Sequence, residues 1–186
     1  MGRAIKNLIN NISKYDEKYC IQLNNFSKFR IIQAFFRFIS WLGNGKIWYF
    51  IIILLPCIDI RLIYISFKMI LIGLIGTGIY KFLKSKFNRP RPYKVNAKIK
   101  LNGEILDQFS FPSGHSLHAV IFSLVLIDFF PTFFFPLLVF TALTALSRVI
   151  LGMHYPTDVF VGIMLGFIIY YTANFIYTTY ENTFFI

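Results

Sequence analysis

Long apolar stretches recur along the chain at 46–58, 62–80, 117–130, 133–146 and 159–177, with few charged residues inside them. A helix needs ~20 mostly apolar residues to cross ~30 Å of hydrocarbon, and most of these stretches reach that length once their flanks are counted. Hydrocarbon offers the backbone no hydrogen-bond partners, so such stretches predict helices that satisfy their own N–H and C=O groups. The expected elements are helices over 28–42, 45–58, 61–84, 115–130, 133–150 and 156–178, an all-α, integral-membrane bundle of about six helices. The 28–42 helix is short and carries Arg30 and Arg37, so it either lies at the interface or spans with those side chains snorkelling. Trp41 and Trp48 flank Gly43-Asn44-Gly45, which suits a turn at headgroup level. Ahead of these, Ile5, Leu8, Ile9 and Ile12 recur at helical spacing among polar residues. That pattern fits an amphipathic surface helix or a frayed polar terminus. The chain thus divides into an N-terminal interfacial segment, 1–27, and a membrane domain, 28–186, with no linker, repeat or low-complexity stretch.

Composition agrees with this pattern: 56% of the 186 residues are hydrophobic, and the mean hydropathy is +0.62. A formal net charge of +11 raises the question of a nucleic-acid partner. The basic residues, however, gather at the N-terminus (Arg3, Lys6, Lys14, Lys18, Lys28, Arg30) and in one loop from Lys81 to Lys100. Both groups flank apolar spans and form no nucleic-acid module, so the expected partners are membrane lipids. The N-terminal group reads as a cytoplasmic anchor under the positive-inside bias. Cys20 and Cys57 make no disulfide framework, and 1–27 lacks the apolar core and cleavage site of a secretory signal. The Gly73, Gly76 and Gly162, Gly166 spacings allow close helix packing without establishing a dimer, and the oligomeric state stays open.

Only one connection is long, from about 85 to 114. It holds Asn88-Arg89-Pro90-Arg91-Pro92, whose prolines stop the preceding helix, and ends at Phe111-Pro112-Ser113-Gly114, which can open the next. Counting sides, the ends of the third and fifth helices and the starts of the fourth and sixth share one membrane face. Lys84 to Arg91, Ser113 to His115 and Arg148 to Asp158 therefore converge there. Such a set suits phosphoryl transfer. Convergent cations and backbone N–H groups match the charge spread over phosphate oxygens. Arg91 and Arg148 can pair with two oxygens each, Lys84 adds a point charge, and the helix opening near Ser113 points free N–H groups at an anion. Gly114 lets the backbone approach closely. One histidine can attack phosphorus while the other protonates the leaving oxygen, and Asp158 can hold the attacking imidazole. No Asp, Glu or Cys cluster has metal-ligand spacing, so neither a metal nor another cofactor is called for.

The three clusters resemble the tripartite signature of the type 2 phosphatidic acid phosphatase superfamily, which also includes vanadium-dependent haloperoxidases and glucose-6-phosphatase. Its motifs, Lys-x6-Arg-Pro, Pro-Ser-Gly-His and Ser-Arg-x5-His-x3-Asp, are matched at every fixed position from Lys84 to Asp158. The resemblance implies that His154 is the nucleophile, forming a phosphohistidine, with Asp158 polarising it and His115 acting as general acid. It implies that Lys84, Arg91, Ser113, Gly114 and Arg148 hold the phosphoryl oxygens. It also implies a six-helix bundle in the bacterial inner membrane, with the site facing the periplasm or exterior. Six crossings would put the basic N-terminus on the opposite, inner face.

The expected activity is a lipid phosphate phosphatase. Its candidate substrates are undecaprenyl pyrophosphate, phosphatidylglycerol phosphate, phosphatidic acid and the phosphates of lipid A. A phosphotransferase passing the group to another acceptor, or a non-enzymatic membrane scaffold, are the other readings. A phosphorylated acceptor product marks the first, and function that survives loss of His154 and Arg148 marks the second. A haloperoxidase is disfavoured because those members are soluble. Lys81, Lys86, Arg89, Lys94, Lys98 and Lys100 either solvate the loop or attract anionic headgroups. Glu104 and Asp107 read as solvated loop charges, and His118, one turn after His115, as structural or supporting. Substrate selectivity is expected from the 93–111 loop and the N-terminal helices.

Overall fold

The computed structural model describes residues 3–184, with side-chain surroundings given from residue 12 to residue 179. Its helices are α1 (Arg3–Asn24), α2 (Arg30–Trp41), α3 (Ile47–Ile58), α4 (Ile63–Phe87), the single turn α5 (Pro92–Val95), α6 (Gly114–Phe129), α7 (Phe134–Ile150) and α8 (Pro156–Phe184). No strand occurs among the described residues. Four segments are long and apolar enough to cross a membrane: Arg30–Ile58, Ile60–Val95, Pro131–Ile150 and Pro156–Thr179.

The central helix is α6, which packs on α4, α7 and α8 together. Leu117, Ala119, Val120, Ile121, Val125 and Leu126 are all buried in it, so it is apolar around its whole circumference, as a helix enclosed on every side must be. At 16 residues it is the shortest of the crossing helices. Its neighbours shield it from lipid. Glycines allow that closeness: a Cβ at Gly73 or Gly76 of α4 would fall 2.8 Å from Phe122 or 2.9 Å from Leu117, and one at Gly166 of α8 would fall 2.8 Å from Val120. The small-residue spacings therefore serve packing within the chain.

Two sequence expectations change. The first concerns α2 and α3, expected as separate helices around a turn, with α2 either at the interface or spanning. Each has only 12 residues, about 18 Å of helix, too short to cross alone. Between them lies a widened turn, Leu42–Lys46, with Gly45 at φ +98°, a conformation glycine adopts freely. The contacts show a kink and no reversal. Phe36 packs with Ile150 and Leu151, Ser40 bonds Arg148, Gly43 lies against Thr144, and Trp48 meets Phe140. As the number rises on α2 and α3 it falls on α7, so α2 and α3 descend together as one antiparallel crossing. Trp48, expected at headgroup level, is a core residue 1% exposed, whereas Trp41 stays exposed under the Lys46 ammonium.

The second change follows from the first. With α2 and α3 sharing a crossing, the N-terminal helix lies on the same face as the signature residues. It docks there through Asp16, Cys20 and Asn24, a buried stripe at i, i+4 and i+8. Asn24 donates to the Ile150 and Lys100 carbonyls at 2.9 Å and accepts from Lys100 N at 2.8 Å. The expectation that the basic N-terminus faces away from the site is thus corrected. Of the apolar stripe read there, Ile12 is exposed, and the side chains of Ile5, Leu8 and Ile9 lie outside those described.

Candidate active site

Each signature residue stands where a helix begins or ends. Lys84 sits in the last turn of α4, which Asn88 closes in the left-handed conformation at φ 47°. Ser113 caps α6, its hydroxyl accepting from Ser116 N, and Gly114 and His115 form the first turn. Arg148 lies in the last turn of α7. The chain then turns through Gly152, at φ +74° with the Lys100 carbonyl too close for any side chain. The Arg148 carbonyl accepts from both Met153 N (3.0 Å) and His154 N (3.1 Å), which fixes the loop carrying His154. Asp158 opens α8, and its carbonyl accepts from Ser113 N at 3.0 Å, joining the second and third motifs by backbone.

The sequence-predicted residues meet at one place. Arg91 Nη1 lies 3.3 Å from His154 Nε2 and donates to the Met153 carbonyl at 2.8 Å. Arg148 is 1% exposed. It donates to Ser40 Oγ at 2.6 Å and contacts Met153 Sδ at 3.4 Å, while its Nε has no partner. No carboxylate lies within ion-pair distance of it among the described residues. A buried guanidinium without a counter-ion carries a large desolvation cost, which a bound anion would offset. His154 is also 1% exposed. Burial, then the charges of Arg91, Arg148 and Lys84, push its pKa well below the ordinary histidine value, which favours the neutral ring. His115 is half-buried and near enough to Arg148, His154 and Lys84 for their charges to act on it.

The expected His154–Asp158 hydrogen bond is not made. Nδ1 and Oδ2 stand 3.7 Å apart, too far for one, and Nδ1 has no hydrogen-bond partner. Asp158 is instead held by Tyr155 N on Oδ2 at 2.8 Å and by Arg89 Nη1 on Oδ1 at 2.6 Å. Arg89, expected as a loop charge, is thus an anchor of the site. Asp107, expected to be solvated, is its internal counter-ion. It accepts from Lys84 Nζ at 2.8 and 2.9 Å and from Arg91 Nη2 at 2.8 Å. Partial burial alone would raise the Asp107 pKa, but the hydrogen bonds and charges of Lys84 and Arg91 prevail and hold it below the usual carboxylate value. The sequence signal for both was position: Arg89 lies inside the Lys84–Arg91 motif, and Asp107 lies close ahead of Pro112-Ser113-Gly114-His115.

Beside these groups opens a cavity of about 570 Å³ between α3, α4 and α6. Asp107, Gly114 and His115 line its site end, and Tyr49, Ile53, Ile70 and Leu74 line its flank. Those four flank residues are exposed on the outside of the bundle, so the cavity opens sideways toward hydrocarbon. His118 also lines it, tied to the Gly114 carbonyl (3.0 Å), Thr77 Oγ1 (3.1 Å) and the Gly73 carbonyl (3.2 Å). Its role is to join α6 to α4. Residues 61–183, which hold all three clusters, match the family profile of the PAP2 superfamily. The chain belongs to the PAP2 superfamily. A relative, undecaprenyl-diphosphatase BcrC of Bacillus subtilis, is 31% identical over 102 residues, 53% of this chain and 52% of that one. The chain thus spans about half the length of that curated relative. Two solved structures share the fold. A transmembrane PAP2 type phosphatidylglycerolphosphate phosphatase from Bacillus subtilis superposes with a TM-score of 0.75 at 23% identity, covering 91% of this chain and 88% of that one. LpxE of Aquifex aeolicus superposes with a TM-score of 0.72 at 27% identity, covering 82% and 90%.

Proposed function

We propose that this chain is a membrane phosphatase that hydrolyses the phosphomonoester or pyrophosphate group of a lipid substrate through a phosphohistidine at His154. The observation that carries the reading is the buried Arg148 guanidinium, without a carboxylate partner, in the charge environment of a neutral, buried histidine. The lipid tail enters by the side opening between α3 and α4, which brings its phosphate to His115 and the cations. The phosphate displaces Asp107 from Lys84 and Arg91, and its oxygens pair with those two, with Arg148 and with the free N–H groups at Ser113 and Gly114.

His154 Nε2 attacks phosphorus, because Nδ1 is the nitrogen turned to Asp158. The P–N bond forms as the P–O bond to the lipid breaks, and His115, protonated as the negative charge of the phosphate arrives beside it, gives that proton to the departing oxygen. Asp158 closes the 3.7 Å gap and accepts from Nδ1–H as the ring becomes positive. Water then attacks the phosphohistidine, returning its proton to His115 and releasing phosphate. The BcrC match makes undecaprenyl pyrophosphate the first lipid to assay, followed by phosphatidylglycerol phosphate, phosphatidic acid and lipid A phosphates.

The protein sits in the bacterial cytoplasmic membrane, with the site facing the exterior, as the family resemblance implies. The basic N-terminus and loop run against the positive-inside bias in this orientation. Labelling of a Lys98→Cys variant that also carries Cys57→Ser, in whole cells with an impermeant maleimide, tests it, and protection in intact cells with labelling after lysis reverses it. For the activity, detergent-purified protein should release phosphate from at least one lipid of the panel, and His154→Ala should release none. Equal release by both proteins would remove the reading.

A further inference from the structure

Asp16 lies on α1, outside the residues that the family profile matches. Its side chain is 1% exposed, an unusual burial for a carboxylate on a helix whose other described side chains, from Ile12 on, are mostly exposed. Oδ1 accepts from Thr157 N at 3.0 Å, and Oδ2 accepts from Arg89 Nη2 at 2.7 Å and from the Thr157 hydroxyl. Arg89 turns its other nitrogen to Asp158 Oδ1 at 2.6 Å and to Thr157 Oγ1 at 2.9 Å. One guanidinium therefore bridges two buried carboxylates, and the second of them stands 3.7 Å from the nucleophile candidate His154.

We propose that Asp16 is a positioning residue that sets the charge and placement of Asp158 through Arg89. Two features of the geometry support this. Asp16 caps a free N–H in the first turn of α8, the turn that carries Asp158, and so fixes that turn against the site. It also divides the Arg89 charge. With both carboxylates on one guanidinium the trio carries a net −1. With Asp16 neutral, Arg89 would cancel Asp158 and leave nothing to stabilise the positive ring of a phosphohistidine. An N-terminal helix that resembles a surface anchor in sequence thereby acts on the reacting centre.

The proposal rests on His154 as nucleophile, so its test runs with His154→Ala alongside. Asp16→Asn is nearly isosteric and keeps an oxygen for Thr157 N, which separates charge from packing. With the lipid of the above panel that wild type cleaves fastest, kcat should fall roughly tenfold or more, with KM little changed. The acid limb of kcat/KM reports His154, which is faced by Arg91, Lys84, Arg148 and His115, by Asp158, and by Cys20 of α1. Loss of a net negative charge lowers the proton affinity of His154, so that limb should move to lower pH in Asp16→Asn. Arg89→Gln removes a positive charge and should move it to higher pH.

Asn24→Ala loosens the same helix without touching Arg89, and should leave the limb in place. Wild-type kcat and an unmoved limb in Asp16→Asn, with His154→Ala inactive, would overturn the positioning role alone. A lower kcat with an unmoved limb, matched by Asn24→Ala, would make Asp16 a structural anchor only. If Asp16→Asn does not fold, an upward limb shift in Arg89→Gln sustains the proposal, and an unmoved limb ends it. Absence of phosphate release by wild type from every lipid would remove the phosphatase reading and this proposal together.

Discussion

Arg148 and the Lys84–Arg91 pair stand at the same site, but only the pair has an internal counter-ion. Lys84 and Arg91 close on Asp107 with hydrogen bonds of 2.8 to 2.9 Å. Arg148 rests on a serine hydroxyl and a thioether, with its Nε unpartnered. The positions of the three groups along the chain explain the contrast. Lys84 and Arg91 border the long loop that carries Asp107, which is half-exposed and able to swing away. Arg148 is enclosed by α2 and the His154 loop, where no carboxylate of the described residues comes within ion-pair distance. The site is therefore part latch and part permanent demand for an anion. In the proposed mechanism Asp107 occupies the entry cations until phosphate replaces it, and phosphate is the anion that pairs with Arg148.

Variants that treat the two sets separately break or sharpen this contrast. The largest effect belongs to Arg148→Met, which should lower kcat/KM about a thousandfold, as loss of a buried charge donor to a developing anion does. Its thermal midpoint should stay level or rise, because an uncompensated buried charge has been removed. A clear loss of stability would mean that Arg148 is structural. Lys84→Met should cost about a hundredfold in kcat/KM, since Arg91 remains. Asp107→Asn should act in the other direction on binding, lowering KM and the inhibition constant of inorganic phosphate about threefold as the internal competitor weakens. A higher KM would show instead that Asp107 helps bind substrate. The smallest effect is on pH. Because His154 is held neutral by burial and by three cations, the acid limb of wild-type kcat/KM should lie below pH 6.5. Removing positive charge in Arg148→Met or Lys84→Met raises the proton affinity of His154 and should move the limb upward.

Much of this could be read from the sequence. Apolar stretches are helices in hydrocarbon whatever their neighbours, and three motifs at helix boundaries converge by alternation alone. The resemblance then supplied roles that spacing does not contain. What stayed hidden was decided by contacts between distant segments. Gly43-Asn44-Gly45 has the same local chemistry whether it reverses the chain or kinks it, and only the matching of Phe36 to Trp48 along α7 shows a kink. Trp48 followed that choice into the core. Asp16, Arg89 and Asp107 look like solvated charges because each partner is 16 or more residues away. Their pairing is a product of the fold, and composition does not record it.

The most direct test of the account is to trap the phosphoenzyme. Purified protein would be mixed with a lipid of the above panel labelled in its phosphate and quenched in alkali within the first turnover. The account predicts an acid-labile, alkali-stable label located at His154 by peptide mapping and absent from His154→Ala. Rapid phosphate release with no label at any quench time, or a label that persists in His154→Ala, would contradict it.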